Sequence, residues 1–359
     1  MNSALLNTQE ENSDFQYIKN LVELQRSSFI QDGYPNIKTR LERLDRLIAM
    51  LRNNKQKLAA ALKSDYSARS HFDSVVFDIL VPIESLKYCR KNTAKWMKPE
   101  KRGAKFPLNL LGADAHVFYQ PMGVVGIVAP WNFPIQLTFS PLGNAISAGN
   151  RAIIKPSELT PETSALLHKL FTADFGPEEI SVVNGGPDVA AAFTAQAFDH
   201  LVFTGAPSVA KHVMRAAAEN LVPLTLELGG KCPVIIGQGA DLKAAVERIF
   251  TFKTMNAGQI CLAPDYTFVQ AELLPQFIEL AKKFVADNFG TLADNDDYGS
   301  IINERHRARI AGYIQEAMDR GYQTIPLSDD IGLDKLAHNH KLAPTLVIDP
   351  ADDCKIMTD

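Results

Sequence analysis

Cysteine is scarce in this sequence, positive charge is in no excess and long apolar runs are missing; each shortage removes a class of protein. Only four cysteines occur, Cys89, Cys232, Cys261 and Cys354. They form no CxxC pair and fall far below the density of a disulfide-stapled secreted fold, so reduced thiols are expected. Lys plus Arg number 37 against 41 Asp plus Glu, which leaves no broad positive field to draw in nucleic acid. No run approaches the roughly 18 apolar residues of a spanning helix, and the opening MNSALLNTQEENSDF lacks the pattern of a signal peptide. A cytoplasmic protein with no nucleic-acid or membrane partner is expected. Neither an internal repeat nor a low-complexity tract is present. The HNH at His338 to His340 sits in a polar stretch that reads as a solvated turn, so no metal site is assigned.

What is there is apolar material for a large core. Hydrophobic residues make up 46% and charged residues 22% of 359, the balance of a globular chain of two or three domains. Residues 37 to 64 carry Ile37, Leu41, Leu44, Leu47, Ile48, Leu51, Leu58 and Leu62 at helical spacing, with Asn53-Asn54 as an interruption. A second helical stretch places Phe72, Val75, Val76, Ile79, Ile83 and Leu86 on one side. It gives way to the basic segment Lys91 to Lys105, read as a solvated, loop-like surface, and then to Ala115 to Tyr119, whose alternation suits a sheet edge or ribbon.

From Val124 the pattern changes to short continuous apolar runs: VVGIVA, AIIK at 152, SVVN at 181, HLVFT at 200, LTLEL at 224 and PVIIG at 233. Buried parallel strands read this way, and helical segments such as Ser164 to Phe175 and Ser208 to Asn220 lie between some of them. The alternation predicts a doubly wound α/β sheet, which binds ligands at the carboxyl ends of its strands. A helix over Asp241 to Phe252, strand-like YTFVQ, helices over Leu273 to Asp287 and Arg305 to Arg320, and APTLVI predict a second α/β unit.

Five segments carry candidate chemistry. HLVFT ends in Gly205 and a helix opens near Pro207, where free N–H groups and the helix dipole suit a pyrophosphate. GAPSVA keeps only one glycine of a dinucleotide fingerprint, so alone it reads equally as a plain turn. IIKPSE puts Lys155 and Glu158 just beyond a strand, where a cation and a carboxylate suit ribose hydroxyls, although surface charges are common there. PWNFP holds Asn132 between stiff neighbours, as an oxyanion donor or as a packing turn. In LTLELGGK a carboxylate, Glu227, near a strand end is a candidate general base if buried, or a satisfied structural glutamate. NAGQIC places the Cys261 thiol after a Gly-containing turn; a lone cysteine is more often a small core residue.

In this order and at these separations, PWNFP, KPSE, the turn after FTG, ELGGK and GQIC resemble the aldehyde dehydrogenase superfamily, from about Tyr34 to Asp359. DYSARS, WMKPEKR, KHVMRAAAENL and NAGQICLAPDY resemble most the coniferyl aldehyde dehydrogenase group, near the class 3 branch. The resemblance implies a discontinuous dinucleotide-binding domain over 1–102 and 122–229, an oligomerisation ribbon over 103–121 and a catalytic domain over 230–359. It implies Cys261 as nucleophile, Asn132 with the Cys261 backbone N–H as oxyanion donors and Glu227 as the base that activates water. The cofactor, NAD with NADP as the alternative, is expected against Pro130, Trp131, Lys155, Glu158, Gly205, Ala206, Leu228 and Gly229. The expected substrate is a small-molecule aldehyde, coniferyl or otherwise aromatic, with a medium or long aliphatic aldehyde as the alternative. A homo-oligomer is the expected assembly.

The sequence departs from the family pattern twice. Ala206 and Pro207 replace the usual Ser-Thr of the phosphate turn, so one hydroxyl contact is lost and weaker cofactor binding is expected. DDCKIMTD stops short of the family's E-x-F-G-P segment, whose Glu holds the nicotinamide ribose, so a carboxyl-terminal truncation is expected, with low activity and exposed apolar edges. Two other classes compete: a non-catalytic protein retaining the fold, and a cofactor-free thiol esterase using Cys261 and Glu227.

Overall fold

The computed structural model describes residues 2–333 and 339–359, and of residues 2–12 the helical backbone alone. His338 therefore lies outside the described residues. Two compact units divide the chain: Met1–Leu58 with Phe77–Glu227, and Ala59–Val76 with Leu228–Asp359. Among the described residues no helix is long and apolar enough to cross a membrane.

In the first unit, strands β1 (Glu100–Arg102) and β2 (Ala115–Val117) pair antiparallel as an exposed ribbon. Five further strands, β3 (Val124–Val128), β4 (Arg151–Lys155), β5 (Ile180–Val182), β6 (His200–Gly205) and β7 (Leu224–Leu228), form one sheet in the order β5-β4-β3-β6-β7. β3 pairs parallel with both β4 and β6, and β4 pairs parallel with β5. The doubly wound order is the one expected. Every residue of β4 and β5 is buried, which is why these segments read as unbroken apolar runs rather than alternating ones.

Helices pack onto these strands, among them Gln136–Ala148 on β3 and β4 and Pro161–Asp174 on β5. Phe139 of the first and Phe171 of the second meet with ring centroids 5.3 Å apart. Helices Ile37–Asn53 and Lys55–Tyr66 meet at Asn54, whose backbone N–H returns to the Met50 carbonyl, so the Asn pair does interrupt the helix. A π-helical turn, Val76–Leu80, is inserted between helices His71–Val75 and Val81–Trp96. It carries Asp78, fully buried, whose Oδ1 accepts the N–H groups of Ile135 and Gln136 at 3.1 Å each. A buried carboxylate thus caps the helix that follows PWNFP, its negative charge facing the positive end of the helix dipole.

In the second unit β8 (Cys232–Ile235) and β9 (Pro264–Phe268) pair parallel. Helices Leu242–Thr254 and Leu274–Phe289 pack on each other around Val246, Phe250, Phe277, Ala281 and Val285. Strands β10 (Thr324–Pro326) and β11 (Thr345–Val347) pair antiparallel beside helix Glu304–Asp319. A second α/β unit was the expectation, and its elements fall where the periodicity puts them.

Four differences have physical causes. PVIIG is not part of the first sheet; it is β8 of the second unit. β7 and β8 are not buried runs, for alternate residues such as Thr225, Glu227, Pro233 and Ile235 face outward. Residues 59–76 group with the second unit because Ala68 accepts the Ser300 N–H at 2.7 Å and Lys63 pairs with Asp296 at 2.8 Å. The basic segment is helical through Trp96, and Phe72 is exposed rather than packed inward.

Replacing Asp78 with Ala leaves one buried and one part-buried N–H group without this acceptor, and the unfolding free energy is expected to fall by about 2 to 3 kcal/mol. Urea denaturation followed by circular dichroism measures it. Asp78→Asn, which keeps an acceptor oxygen, should recover part of the loss, and an unchanged midpoint in Asp78→Ala would show the cap to be inert.

Candidate functional site

Parallel pairing sends the carboxyl ends of β3, β4 and β6 to one edge of the first unit's sheet. β3 runs into Pro130, Trp131 and Asn132, β4 ends at Lys155, and β6 ends at Gly205, followed by Ala206 and helix Pro207–Ala218. The Ala129 N–H donates to the Lys155 carbonyl at 3.0 Å, so the PWNFP segment begins against the end of β4. Chain order reverses between β3 and β6, and the crevice at such a switch point is where open α/β sheets hold dinucleotides.

Asn132 and Trp131 are half-buried and Phe133 is buried, with its ring edge-on to Phe77 at 6.5 Å. The segment is therefore fixed at one side and open at the other. Ala206 is the extended residue before the helix, with no side-chain capping bond, and Pro207 is the first helical residue. The helix start thus offers backbone N–H groups that no side chain of the cap occupies, which suits an anion.

Lys155 is 1% exposed. Its Nζ donates to the Pro156 carbonyl at 2.9 Å and lies 3.4 Å from the Glu158 carboxylate, which is itself exposed. Burial pulls the ammonium below its ordinary value, and Glu158 opposes that shift only in part. The cation, the carboxylate and the helix start form a donor and acceptor set that fits a ribose and a pyrophosphate.

Glu227, on β7, is exposed. The premise that burial would tune it therefore fails, and its candidacy rests on its position at the strand end. Leu228 is half-buried and Gly229 exposed, with open space where a Gly229 Cβ would stand. Asn132, Lys155, Glu158, Gly205 and Glu227 belong to the first unit; Leu228, Gly229 and Cys261 belong to the second.

Cys261 is the one exposed thiol of the four cysteines. Helix Leu242–Thr254 is followed by Asn256, Ala257 and Gly258 at φ 48°, 53° and 74°, three successive left-handed residues. A Cβ on Gly258 would meet the Lys253 carbonyl at 2.9 Å, so glycine is required both by φ and by space. The turn is clamped from two sides. Asp73 accepts the Asn256 N–H at 3.0 Å, and Gln259 donates to the carbonyls of Asn256 and Ser300 at 2.8 and 3.0 Å while accepting the Ile302 N–H at 2.9 Å. Burial holds the Asp73 carboxyl above the usual range, against the pull of its bond to Asn256.

Sequence reasoning missed both clamps. Gln259 stands inside GQIC, so the motif itself was the signal; Asp73 lies 183 positions away in a helix with no marker. Among the described residues no group of three or more His, Cys, Asp and Glu is placed to hold a metal ion.

Comparison with known proteins adds to this geometry. Residues 25–359 match the aldehyde dehydrogenase family. The chain is 47% identical over 337 residues to a coniferyl aldehyde dehydrogenase of a Pseudomonas species, covering 93% of this chain and 69% of that one. It is also 47% identical over 342 residues to a probable coniferyl aldehyde dehydrogenase of Caulobacter vibrioides, covering 95% and 70%. Among solved structures, the substrate-bound AldH of Staphylococcus aureus aligns with a TM-score of 0.87 at 33% identity, over 95% of this chain and 72% of that one. The NAD+ complex of an aldehyde dehydrogenase from Bacillus cereus aligns with a TM-score of 0.83 at 26% identity, over 96% and 69%.

Two outcomes follow from the site's energetics. Lys155→Met removes a buried charge, so the variant is expected to gain about 1 kcal/mol of stability while binding dinucleotide less tightly. Because the folded-state value of Lys155 is lowered, charging it costs stability at neutral pH, and the cost fades as pH rises from the lowered value toward the ordinary 10.5. The stability gap between the two proteins should close over that rise, and a gap independent of pH would contradict the assignment. Gln259→Ala frees the turn before Cys261, so kcat per folded enzyme should fall roughly a hundredfold while KM moves little; a fall in kcat matched by the loss of folded protein in circular dichroism would mean only general destabilisation.

Proposed function

The chain belongs to the aldehyde dehydrogenase family, NAD(P)-dependent enzymes that oxidise aldehydes, and from that premise we propose that it converts an aromatic aldehyde of the coniferyl kind to its acid through a thioester on Cys261. The observation that carries the reading is the gathering of Asn132, Lys155 and the Gly205 turn at one edge of a parallel sheet. The names of the two 47% relatives support the aromatic substrate class.

NAD fits the donor set better than NADP. Lys155 and Glu158 would hold the adenosine ribose, the Gly205–Ala206 turn and the start of helix Pro207–Ala218 the pyrophosphate, and Pro130, Trp131, Leu228 and Gly229 would line the remainder. Glu158 repels a 2′-phosphate by charge, which favours the unphosphorylated dinucleotide. When bound, the nicotinamide accepts the hydride lost by the substrate carbon.

This chain's own residues do the rest. The Cys261 sulfur adds to the aldehyde carbonyl carbon, and the oxygen that becomes an anion is held by the Asn132 side-chain amide and the Cys261 backbone N–H. Asn132 suits the task because Phe133 and the flanking prolines hold its backbone before any charge develops. Loss of hydride leaves a thioester on Cys261. Glu227 then takes a proton from water, whose oxygen attacks the thioester carbon and releases the acid. An exposed carboxylate is accessible to that water.

The ribbon of β1 and β2 supports self-association. The segment between the strands exposes Phe106, Leu108, Leu110 and Leu111, and Phe118 and Tyr119 follow the second strand equally exposed. A second copy of the chain covering this face makes a homo-oligomer, the segment 103–121 acting as the ribbon. A cytoplasmic location accords with the absence of a spanning helix among the described residues.

A panel of aromatic and aliphatic aldehydes, assayed by NADH absorbance, tests the substrate; preference for long aliphatic aldehydes would overturn the aromatic assignment. Cys261→Ser should abolish NADH formation. Glu227→Gln should keep a first burst and then accumulate a mass adduct on Cys261, with steady turnover down roughly a hundredfold or more. Unchanged steady turnover in Glu227→Gln would remove it as the hydrolytic base.

A further inference from the structure

The four cysteines are not equivalent. Cys89 and Cys354 are buried, Cys261 is exposed and Cys232 is half-buried. Cys232 opens β8, while Cys261 lies in the turn that leads into β9, and both belong to the second unit. The two strands pair in parallel with Cys232 opposite Pro264, three residues beyond Cys261, and the register is irregular just after Cys232. The Cys232 thiol donates to the Cys261 carbonyl oxygen at 3.5 Å. A carbonyl oxygen stands about 2.4 Å from its own Cα, so the Cys232 sulfur lies within about 6 Å of the Cys261 Cα. A disulfide needs Cα atoms about 4.4 to 6.8 Å apart, and reaching that range requires torsions about Cys261 within its turn rather than transport of a strand.

The surroundings of Cys232 are cationic. Lys231 pairs with Asp265 at 2.7 Å, and Lys253 lies 3.8 Å from the other oxygen of the same carboxylate. Two ammonium groups thus face one carboxylate, leaving a positive excess beside Cys232. Lys253 and Cys232 are close enough to interact by charge. The thiolate is the form that attacks a sulfenic acid. The reaction proposed above makes no use of Cys232, and in it Cys261 must be both accessible and nucleophilic, which exposes it to oxidants.

We propose that Cys232 is a resolving thiol, which captures Cys261 after oxidation by a peroxide and stores the pair as a reversible intramolecular disulfide. The Cys261 thiolate attacks one oxygen of hydrogen peroxide; the O–O bond breaks, hydroxide leaves and takes a proton as water, and the sulfur is left as sulfenic acid. The Cys232 thiolate then attacks that sulfur, the S–O bond breaks, and a second hydroxide departs as water. Two thiols and one peroxide give one disulfide and two waters. A dithiol returns two electrons and two protons and restores both groups. The disulfide blocks the sulfinic and sulfonic states, which are not recovered by thiols.

The test reads thiol chemistry, so it stands whether or not Cys261 is the catalytic nucleophile. The full chain is treated with hydrogen peroxide, digested without reductant and mapped by mass spectrometry, and a linked peptide pair containing Cys232 and Cys261 is expected. After dithiothreitol, alkylation of Cys261 by iodoacetamide should be recovered almost completely in the parent and in Cys89→Ser. In Cys232→Ser, and in Cys232→Ala as a second variant, the recovered fraction should fall at least fivefold, with Cys261 found as sulfinic or sulfonic acid. Full recovery in both variants would overturn the proposal, as would a Cys261 linked only to another copy of the chain or to no cysteine at all.

Discussion

The parallel pairing of β3 with both β4 and β6 is the constraint from which the arrangement of the first unit follows. Val128, the last residue of β3, stands opposite Lys155 on one side and Phe203 on the other. Were either pairing antiparallel, Lys155 or the Gly205 turn would sit at the far edge from Asn132. Parallel strands demand crossovers, crossovers cover both faces with helices, and covered strands must be apolar throughout. The unbroken runs VVGIV and RAIIK are thus the reason that three chemically distinct loops emerge together. The reversal of chain order between β3 and β6 then opens the crevice into which they project.

A different device governs the second unit, where a strained turn is held by side chains from distant segments. A left-handed residue other than glycine costs roughly 1 to 2 kcal/mol, and Asn256 and Ala257 both adopt that conformation. The strain persists because several hydrogen bonds over-determine it. Asp73 fixes the start of the turn, while Gln259 ties its carbonyl to the loop at Ser300 and Ile302. The chain consequently leaves the turn in one direction, and Cys261 emerges at the surface rather than joining the core as Cys89 and Cys354 do.

Much of this was legible in the residues themselves. The strands of the first sheet announce themselves because burial on both faces forbids polar interruption, and helices such as Pro207–Ala218 because proline marks the first turn. The loops at the carboxyl ends are recognisable because their chemistry is carried within five or six consecutive residues. What escaped depends on contacts across long separations. Nothing local says that LTLEL leaves Glu227 exposed, that PVIIG pairs with the strand after Cys261, or that residues 59–76 fasten to Ser300 and Asp296. The helical extent of the basic segment was hidden for another reason, since lysines on a helix surface and lysines in a loop look alike until the Pro99 that follows is weighed as a terminator.

Two buried lysines separate a structural from a binding role. Lys341 is 1% exposed, and its ammonium donates to three carbonyls, those of Leu292, Ala293 and Asn295, at 3.0, 3.2 and 2.7 Å. All three of its hydrogens are used, so it ties one loop together and has nothing left to offer. Lys155 is equally buried, yet among the described residues it meets only the Pro156 carbonyl and, at the limit of a hydrogen bond, the Glu158 carboxylate. Burying a cation with incomplete partners lowers stability, and folding alone gives no reason to keep it there. A ligand hydroxyl that accepts the remaining N–H, with Glu158 accepting in return from a neighbouring hydroxyl, completes the set. The deficit at Lys155 therefore leaves donor capacity that a diol, such as the ribose in the proposed reading, would complete.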